Sequence, residues 1–261
     1  MTSPASNLAL QTESLGIARA SVAEGLVIPA MDWQVASGEM WVVAGPQGAG
    51  KTALLETLAG LIPAAAGQVR VFGRMVGGRD HDEDLAETRR RLGFVFDGGG
   101  RLFSALSVQE NILLPWCYHQ NRSPAEALAE LEPLIRHLQL EALLSRTPGS
   151  LSRSWSRRVA LARCLVMKPG LLLLDNPLAG LDAVHLRWWR GFLREAIAGH
   201  PMLGGEPLAV IATADVVRPY AGLDPFFALA ADGQWRIIPD METILASTGE
   251  DGFRNAAEIR P

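Results

Sequence analysis

The sequence is poor in the residues that mark an oxidising compartment or a metal-binding framework. Its 261 residues include only two cysteines and five histidines. Cys117 and Cys164 form neither a disulfide framework nor a metal-ligand spacing, and the histidines are scattered with no pair at ligand spacing. These absences predict a chain that folds in the reducing cytosol.

Long apolar runs and an excess of positive charge are also missing. No apolar run approaches the roughly 18 residues that span a bilayer, and the N-terminus lacks the charged-then-apolar pattern of a signal peptide. We therefore expect any membrane role to be peripheral, through a partner. The net charge of −4 and the pI near 5.8 argue against nucleic acid as the main partner. A hydrophobic content of 48% allows a sizeable core, in one large α/β domain or two small ones.

A glycine-rich stretch between a short apolar strand and a helix is the clearest feature of the chain. The stretch consists of Gly45, Pro46, Gln47, Gly48, Ala49, Gly50, Lys51 and Thr52. It fits the phosphate-binding loop pattern, in which backbone N–H groups surround an anion and the following helix adds its dipole. The pattern predicts that Lys51 reaches the β- and γ-phosphates of a nucleotide and that the Thr52 hydroxyl contacts Mg²⁺.

Apolar patterns elsewhere predict strands that alternate with helices. The run Leu171–Asp175 is typical of a central parallel strand, whereas the weak alternation over Leu8–Ile17 predicts an exposed antiparallel strand. Ser123 and Ser152 are predicted to cap two later helices, and a hairpin is predicted around residues 232–233. Together these elements favour a mostly parallel sheet with an N-terminal antiparallel portion.

The order of the later segments resembles that of the ATP-binding cassette (ABC) ATPases. Leu151–Arg163 looks like their signature helix, and Pro169–Asp182 looks like their Walker B strand followed by the D-loop. The resemblance runs from about residue 8 to residue 245. It implies an α/β P-loop NTPase fold of the ABC type, with a mostly parallel sheet, an antiparallel N-terminal β portion and a helical subdomain.

The resemblance also implies a domain layout and a subfamily. We expect one ABC ATPase domain over residues 1–261, with a core formed by 1–96 and 166–261 and a helical subdomain formed by 97–165. The stretch Phe94–Pro115, which contains Glu-Asn-Ile, is similar to the ATPases of mammalian-cell-entry (MCE) type lipid transport systems of bacteria.

Three positions depart from the family pattern at the expected catalytic centre. In active members a glutamate follows the Walker B aspartate, here Asp175, and activates the attacking water; this chain has Asn176 instead. The switch histidine is replaced by Ala214, and the Q-loop glutamine by Asp97. Since an amide cannot accept the proton, losing the base costs on the order of 10²–10⁴ in rate. The resemblance therefore implies Mg²⁺ held by Thr52 and Asp175, with Asp97 as a further candidate ligand, and no intact catalytic residue.

The signature loop departs from the family as well. Ser152 keeps the hydroxyl that such families use to contact the γ-phosphate bound to the opposite subunit, and it is a candidate nucleotide-binding residue. Arg153 and Ser154 replace two glycines, and Trp155 replaces a glutamine, so side chains obstruct a close backbone approach. No aromatic residue precedes Trp33, although family members often stack adenine on one near the end of the first strand.

These features imply an ATP-binding subunit of an ABC transport complex, lipid-related, that binds ATP and Mg²⁺ with weak or absent intrinsic hydrolysis. The implied partners are a transmembrane permease and a second ATPase subunit, which is either a copy of this chain or an intact heterodimer partner; no nucleic acid is implied. The implied location is the cytoplasmic face of the cell membrane. By resemblance, Leu102–Trp116 is expected to contact the permease.

Other functions stay open on the sequence. One is a regulatory or structural ABC-fold module that uses ATP as a ligand without transport. Another is an ordinary ATPase in which Asp97 or Asp182 substitutes for the base. A P-loop kinase or GTPase is disfavoured, because the guanine-reading Asn-Lys-x-Asp motif is absent.

Overall fold

The computed structural model describes residues 7–18, 26–76, 83–231 and 234–248. Within these ranges two β-sheets are flanked by α-helices. The strands are β1 (Leu8–Ala18), β2 (Leu26–Ala36), β3 (Met40–Ala44), β4 (Ala66–Val71), β5 (Arg74–Val76), β6 (Leu92–Val95), β7 (Leu171–Leu174), β8 (Ala209–Ala214), β9 (Phe226–Ala231) and β10 (Gln234–Ile238). The α-helices are α1 (Lys51–Leu58), α2 (Glu83–Arg90), α3 (Val108–Gln120), α4 (Pro124–His137), α5 (Arg153–Leu165), α6 (Ala183–Ala198) and α7 (Met241–Thr248).

The larger sheet has six strands in the order β10-β9-β3-β8-β7-β6. All neighbouring pairs are parallel except β9 with β10, which confirms the mostly parallel sheet. Both faces are covered. In β7, Leu172 and Leu174 pack in the core beneath the helices, while Leu171 and Leu173 face the second sheet. This double burial explains why the strand is an uninterrupted apolar run.

The smaller sheet is antiparallel, with the order β2-β1-β4-β5, and it confirms the predicted N-terminal antiparallel portion. The prediction that Leu8–Ile17 is exposed was wrong. Strand β1 lies between β2 and β4, and its Leu10 and Leu15 are almost completely buried. The alternation is weak because the pairing with both neighbours shifts register around Ser14, whose φ is 47°.

Three tryptophans fill the space between the two sheets. Trp33 on β2 meets Trp41 on β3 edge-on at 5.2 Å and Trp235 on β10 at 5.1 Å between ring centroids. The aromatic cluster buries a large apolar area and holds the antiparallel sheet against the parallel one. Trp33 is therefore a core residue in this fold.

The chain from β6 to β7 contains three α-helices. Helices α3 and α4 each begin with a capping box, formed by Ser107 with Glu110 and by Ser123 with Glu126, and Ser152 caps α5. The predicted caps at Ser123 and Ser152 are thus confirmed. The turn predicted at residues 232–233 lies outside the described residues. No helix in the described ranges combines the length and apolar character that a membrane span requires.

Candidate functional site

The glycine-rich loop follows β3 and ends at the first residue of α1. Gly48 and Gly50 both have φ of 85°, in the left-handed region that favours glycine. A Cβ at Gly48 would meet nothing within 4 Å, so the backbone conformation rather than lack of space favours glycine there. Gly50 is the N-cap of α1 and supplies no capping side chain. The helix therefore begins with uncapped amides and a positive dipole end, which suit an anion.

Lys51 folds back into the loop. Its side chain is only 8% exposed, and Nζ donates to the carbonyl oxygens of Gly45 at 2.6 Å and Pro46 at 2.8 Å. The same Nζ lies 2.8 Å from Oδ1 of Asp215, just beyond the end of β8. The ammonium group is thus held among oxygen atoms at the position where the loop surrounds an anion.

Thr52 and Asp175 meet although 123 residues separate them. The Thr52 hydroxyl donates to Oδ2 of Asp175 at 2.9 Å. The strands β3, β7 and β8 are parallel neighbours, so the residues that follow their carboxyl ends converge at one edge of the sheet. A hydroxyl oxygen and a carboxylate oxygen are hard ligands of the kind that Mg²⁺ binds, so this pair fits the expected ion.

Thr213 is a member of this site that the sequence analysis missed. Its hydroxyl donates to Oδ1 of Asp175 at 2.7 Å and accepts from the Asn176 backbone amide at 2.8 Å. The side chain is fully buried in strand β8. A lone hydroxyl in an otherwise apolar strand was the available signal, and it orients the carboxylate of Asp175.

The two positions that are predicted to replace the family's catalytic side chains lie beside this network. Asn176 has a φ of 49°, and its Nδ2 donates to Oδ2 of Asp215 at 3.1 Å. Ala214 is buried, and its carbonyl oxygen accepts from the Gly45 amide at 3.3 Å. The structure therefore brings Asn176, Ala214, Lys51 and Asp175 to one site. Neither Asn176 nor Ala214 offers a group that accepts a proton from water.

Asp97 is held elsewhere. Oδ1 of Asp97 lies 2.8 Å from Nη2 of Arg157 and 3.1 Å from Nη2 of Arg153, and it accepts from the Gly98 amide. Partial burial raises the pKa of Asp97, but the hydrogen bonds from Arg157 and Gly98, with the charges of both arginines, lower it below the ordinary value. Among the described residues, no contact joins Asp97 to Thr52 or Asp175.

Ser152 and Asp182 both act as helix caps. The Ser152 hydroxyl accepts from the Trp155 amide at 3.4 Å. Oδ1 of Asp182 accepts from the amides of Val184 and His185, each at 2.9 Å, and Oδ2 bonds to Nδ1 of His185. These bonds from His185 lower the pKa of Asp182. A carboxylate stabilised in this way is a weak proton acceptor, which disfavours Asp182 as a substitute base.

Comparisons with known proteins agree with this fold. The family model described as "ABC transporter" matches residues 28–179. The sulfate/thiosulfate import ATP-binding protein CysA of Caulobacter vibrioides is 38% identical over 63% of this chain and 47% of its own length. The lipoprotein-releasing system ATP-binding protein LolD of Porphyromonas gingivalis is 35% identical over 61% of this chain and 72% of its own length. The chain thus spans about half the length of the sulfate/thiosulfate relative.

Solved structures show the same fold. The dimeric ATP-binding cassette MJ0796, bound to ADP and phosphate, superposes with a TM-score of 0.75 over 89% of this chain and 100% of that one, at 22% identity. CbiO1 from Clostridium perfringens, part of the ABC transporter complex cbiONQ, has a TM-score of 0.69 over 94% of this chain and 93% of its own, also at 22% identity. The match of the family model to residues 28–179 and the 35% identity to LolD over 72% of its length show that the chain belongs to the ABC transporter family, as one of its ATP-binding domains.

Proposed function

We propose that this chain is the ATP-binding subunit of a membrane transport complex, and that it holds Mg·ATP while hydrolysing it slowly or not at all. The observation that carries the proposal is the contrast within one site. The loop, Lys51 and the Thr52–Asp175 pair keep the groups that bind triphosphate and Mg²⁺, whereas Asn176 and Ala214 lack the groups that cut it. A site of this kind can bind ATP without hydrolysing it, because the groups that hold the phosphates and Mg²⁺ are distinct from the residue that orients the attacking water.

Each residue has a defined part in this proposal. The loop amides and Lys51 bind the phosphate oxygens, and Thr52 and Asp175 hold Mg²⁺, which neutralises phosphate charge when bound. Asp175 is a poor candidate for the base, because the proposal assigns its carboxylate to Mg²⁺ and each of its oxygens accepts from a hydroxyl. The Asn176 amide donates to Asp215 rather than accepting from water.

The surface around α3 supports a permease as the partner. Tyr118 and Leu114 on α3 are exposed, Tyr118 to 80%, and Phe103 in the loop before α3 is 53% exposed. A cavity of about 420 Å³ adjoins α3 and is lined by residues of α2, β6, α3 and α5, among them Arg89, Pro115, His119 and Arg163, and by Met167 just after α5. Exposed aromatic residues beside a concave surface are typical of interaction sites.

A lipid-related cargo, of the MCE type, is the finer part of the proposal. It is supported by the Glu-Asn-Ile stretch at 110–112 and by the LolD relatives, whose name refers to lipoprotein release. The stretch also has a local role. Asn111 is fully buried and bonds to the backbone of Phe103, Leu106 and Ser107, so it holds the loop before α3 in place. A second ATPase subunit completes the proposed complex, with either two copies of this chain or one intact partner.

Three measurements test the proposal. Calorimetric titration with Mg·ATP should show saturable binding. The affinity should fall at least about tenfold in Lys51→Ala, because a charge-assisted contact to phosphate is removed. Phosphate release on the same sample should stay near background. Protein that ignores nucleotide, or that splits ATP as fast as an ordinary transport ATPase without another chain, would refute it. A pull-down with this chain from solubilised membranes should recover a permease with several membrane spans. Recovery of only soluble proteins would instead favour the regulatory module.

A further inference from the structure

Three side chains from separate elements meet on the side of α6 that faces α4, and none of them belongs to the nucleotide site. His137 is the last residue of α4, Glu195 lies in α6, and His200 follows α6 at the start of a short 3-10 turn. Nε2 of His137 lies 2.8 Å from Oε2 of Glu195. The imidazole rings of His137 and His200 are stacked, with centroids 4.8 Å apart and planes 17° from parallel.

The three residues form a compact donor set. One ligand atom from each, a ring nitrogen or a carboxylate oxygen, can be chosen so that all lie within 4.8 Å of one another. The side chains are half-buried, with His137 at 26% and Glu195 at 40% exposure. The sequence shows no ligand spacing here, because α4 and α6 bring together residues that are 58 positions apart.

The geometry points to a binding site for a borderline divalent transition metal such as Zn²⁺ at His137, Glu195 and His200. Two imidazoles with one carboxylate are a common protein ligand set for such ions, with a water molecule in the fourth position. Mg²⁺ prefers oxygen ligands and is a poor match for two nitrogens. The proposal is thus independent of the Mg²⁺ site at Thr52 and Asp175.

Metal binding requires a modest closure of the cluster. Bonds of about 2.1 Å in a tetrahedral site place neighbouring ligand atoms about 3.4 Å apart, so the side chains must rotate inward from their present spacing. The hydrogen bond between His137 and Glu195 is exchanged for two metal bonds. His200 loses the bond in which its Nδ1 accepts from the Met202 amide, but at 3.3 Å that bond is long and weak.

The hydrogen bond between His137 and Glu195 does not involve His200. A single carboxylate faces two stacked imidazoles, and in the described part of the chain no other acidic side chain forms an ion pair with either histidine. Among the described residues, the His200 ring takes part only in the long hydrogen bond from the Met202 amide, so a ring nitrogen of His200 is available to a metal ion. A divalent ion bridges all three groups at once and ties α4 to the chain that follows α6.

The test uses the full chain without a histidine tag, stripped of metal. Titration with Zn²⁺ should show one equivalent bound, Co²⁺ should give the intense visible absorption of a low-coordinate site, and Zn²⁺ should raise the Tm. His137→Ala and His200→Ala should each abolish these signals, whereas the exposed His119→Ala should retain them. Glu195→Gln keeps a hydrogen-bonding group and should weaken Zn²⁺ binding at least about tenfold.

Two outcomes would overturn the proposal. One is Zn²⁺ binding that is no stronger than the binding of Mg²⁺ measured in the same way. The other is binding that survives both histidine substitutions. Far-ultraviolet circular dichroism of each variant shows whether it is folded, so loss of the Zn²⁺ signal in a folded variant is informative. Because the readouts are metal affinity, absorption and Tm, they are separate from Mg·ATP binding, and failure here leaves the proposed function untouched.

Discussion

Lys51 and Asp215 form an ion pair at the mouth of the phosphate loop, with Nζ and Oδ1 2.8 Å apart. Asp215 follows Ala214, which is predicted to replace the switch histidine of the ABC ATPases, and its other oxygen accepts from Asn176. A carboxylate therefore occupies the surroundings of the lysine that is expected to bind phosphate. Its negative charge competes with the nucleotide for Lys51.

Removing this charge should strengthen nucleotide binding. Asp215→Asn is expected to tighten Mg·ATP binding about two- to fivefold, since a half-exposed pair of this kind is worth at most about 1 kcal/mol. Calorimetric titration measures the change, and Asp224→Asn is a control with the same loss of charge away from the loop. Equal tightening in both variants would show a general charge effect instead.

Restoring the two missing catalytic groups should raise turnover. Asn176→Glu combined with Ala214→His is expected to increase phosphate release at least about tenfold in the dimer, toward the 10²–10⁴ that a general base contributes. Position 176 has φ of 49°, so a glutamate there should also lower the free energy of unfolding by about 1–2 kcal/mol. The control is Asn176→Gln with Ala214→His, which keeps the side-chain size at position 176 but lacks the carboxylate base. If both pairs release phosphate equally slowly, the altered signature loop sets the rate.

The contact between Asp97 and the arginines should contribute to stability. Asp97→Asn leaves the buried Arg157 without its charged partner, and we expect a loss of about 1–2 kcal/mol at neutral pH, less than for a fully buried pair because solvent screens Asp97. Arg153→Ala removes a largely exposed partner and should cost less than about 1 kcal/mol. Urea unfolding of both variants measures these differences.

The contribution of Asp97 should also depend on pH. Its folded pKa is below the ordinary value of 3.8, so the unfolded chain takes up the proton first as the pH falls. The stabilisation is therefore complete above the unfolded pKa and is lost as the pH falls through the folded one. The difference between wild type and Asp97→Asn should shrink below about pH 4. If the difference in the free energy of unfolding stays constant down to about pH 3, this assignment is wrong.

The close approach of the loop after β6 to α5 can be tested with two glycines of similar backbone conformation. Gly100 has φ of 77° and Gly73 has φ of 78°. A Cβ at Gly100 would lie 2.0 Å from Cβ of Ala160, whereas one at Gly73 would meet nothing within 4 Å. Gly73→Ala should cost about 1–2 kcal/mol through backbone strain alone. Gly100→Ala should cost about 1–3 kcal/mol more because of the clash, and equal losses in denaturant unfolding would show that α5 moves freely.

Local features of the site were predictable because contiguous residues create them. The phosphate loop is one contiguous run of glycines, Lys51 and Thr52 before a helix, and the caps at Ser123 and Ser152 each bond to an amide three residues away. The alternation of strands and helices likewise follows from periodicity within each segment. The mostly parallel sheet and the antiparallel N-terminal portion were therefore inferred correctly from the order of elements and the family resemblance.

The contacts that define the site's chemistry depend on tertiary structure. Thr52 meets Asp175, Lys51 meets Asp215, and Arg157 meets Asp97 across long stretches of chain, because strand order and helix packing decide which loop ends converge. The same reason explains the burial of β1, which a weak local pattern concealed. It also explains the meeting of His137 with His200, which become neighbours only because the end of α4 packs against the turn that follows α6.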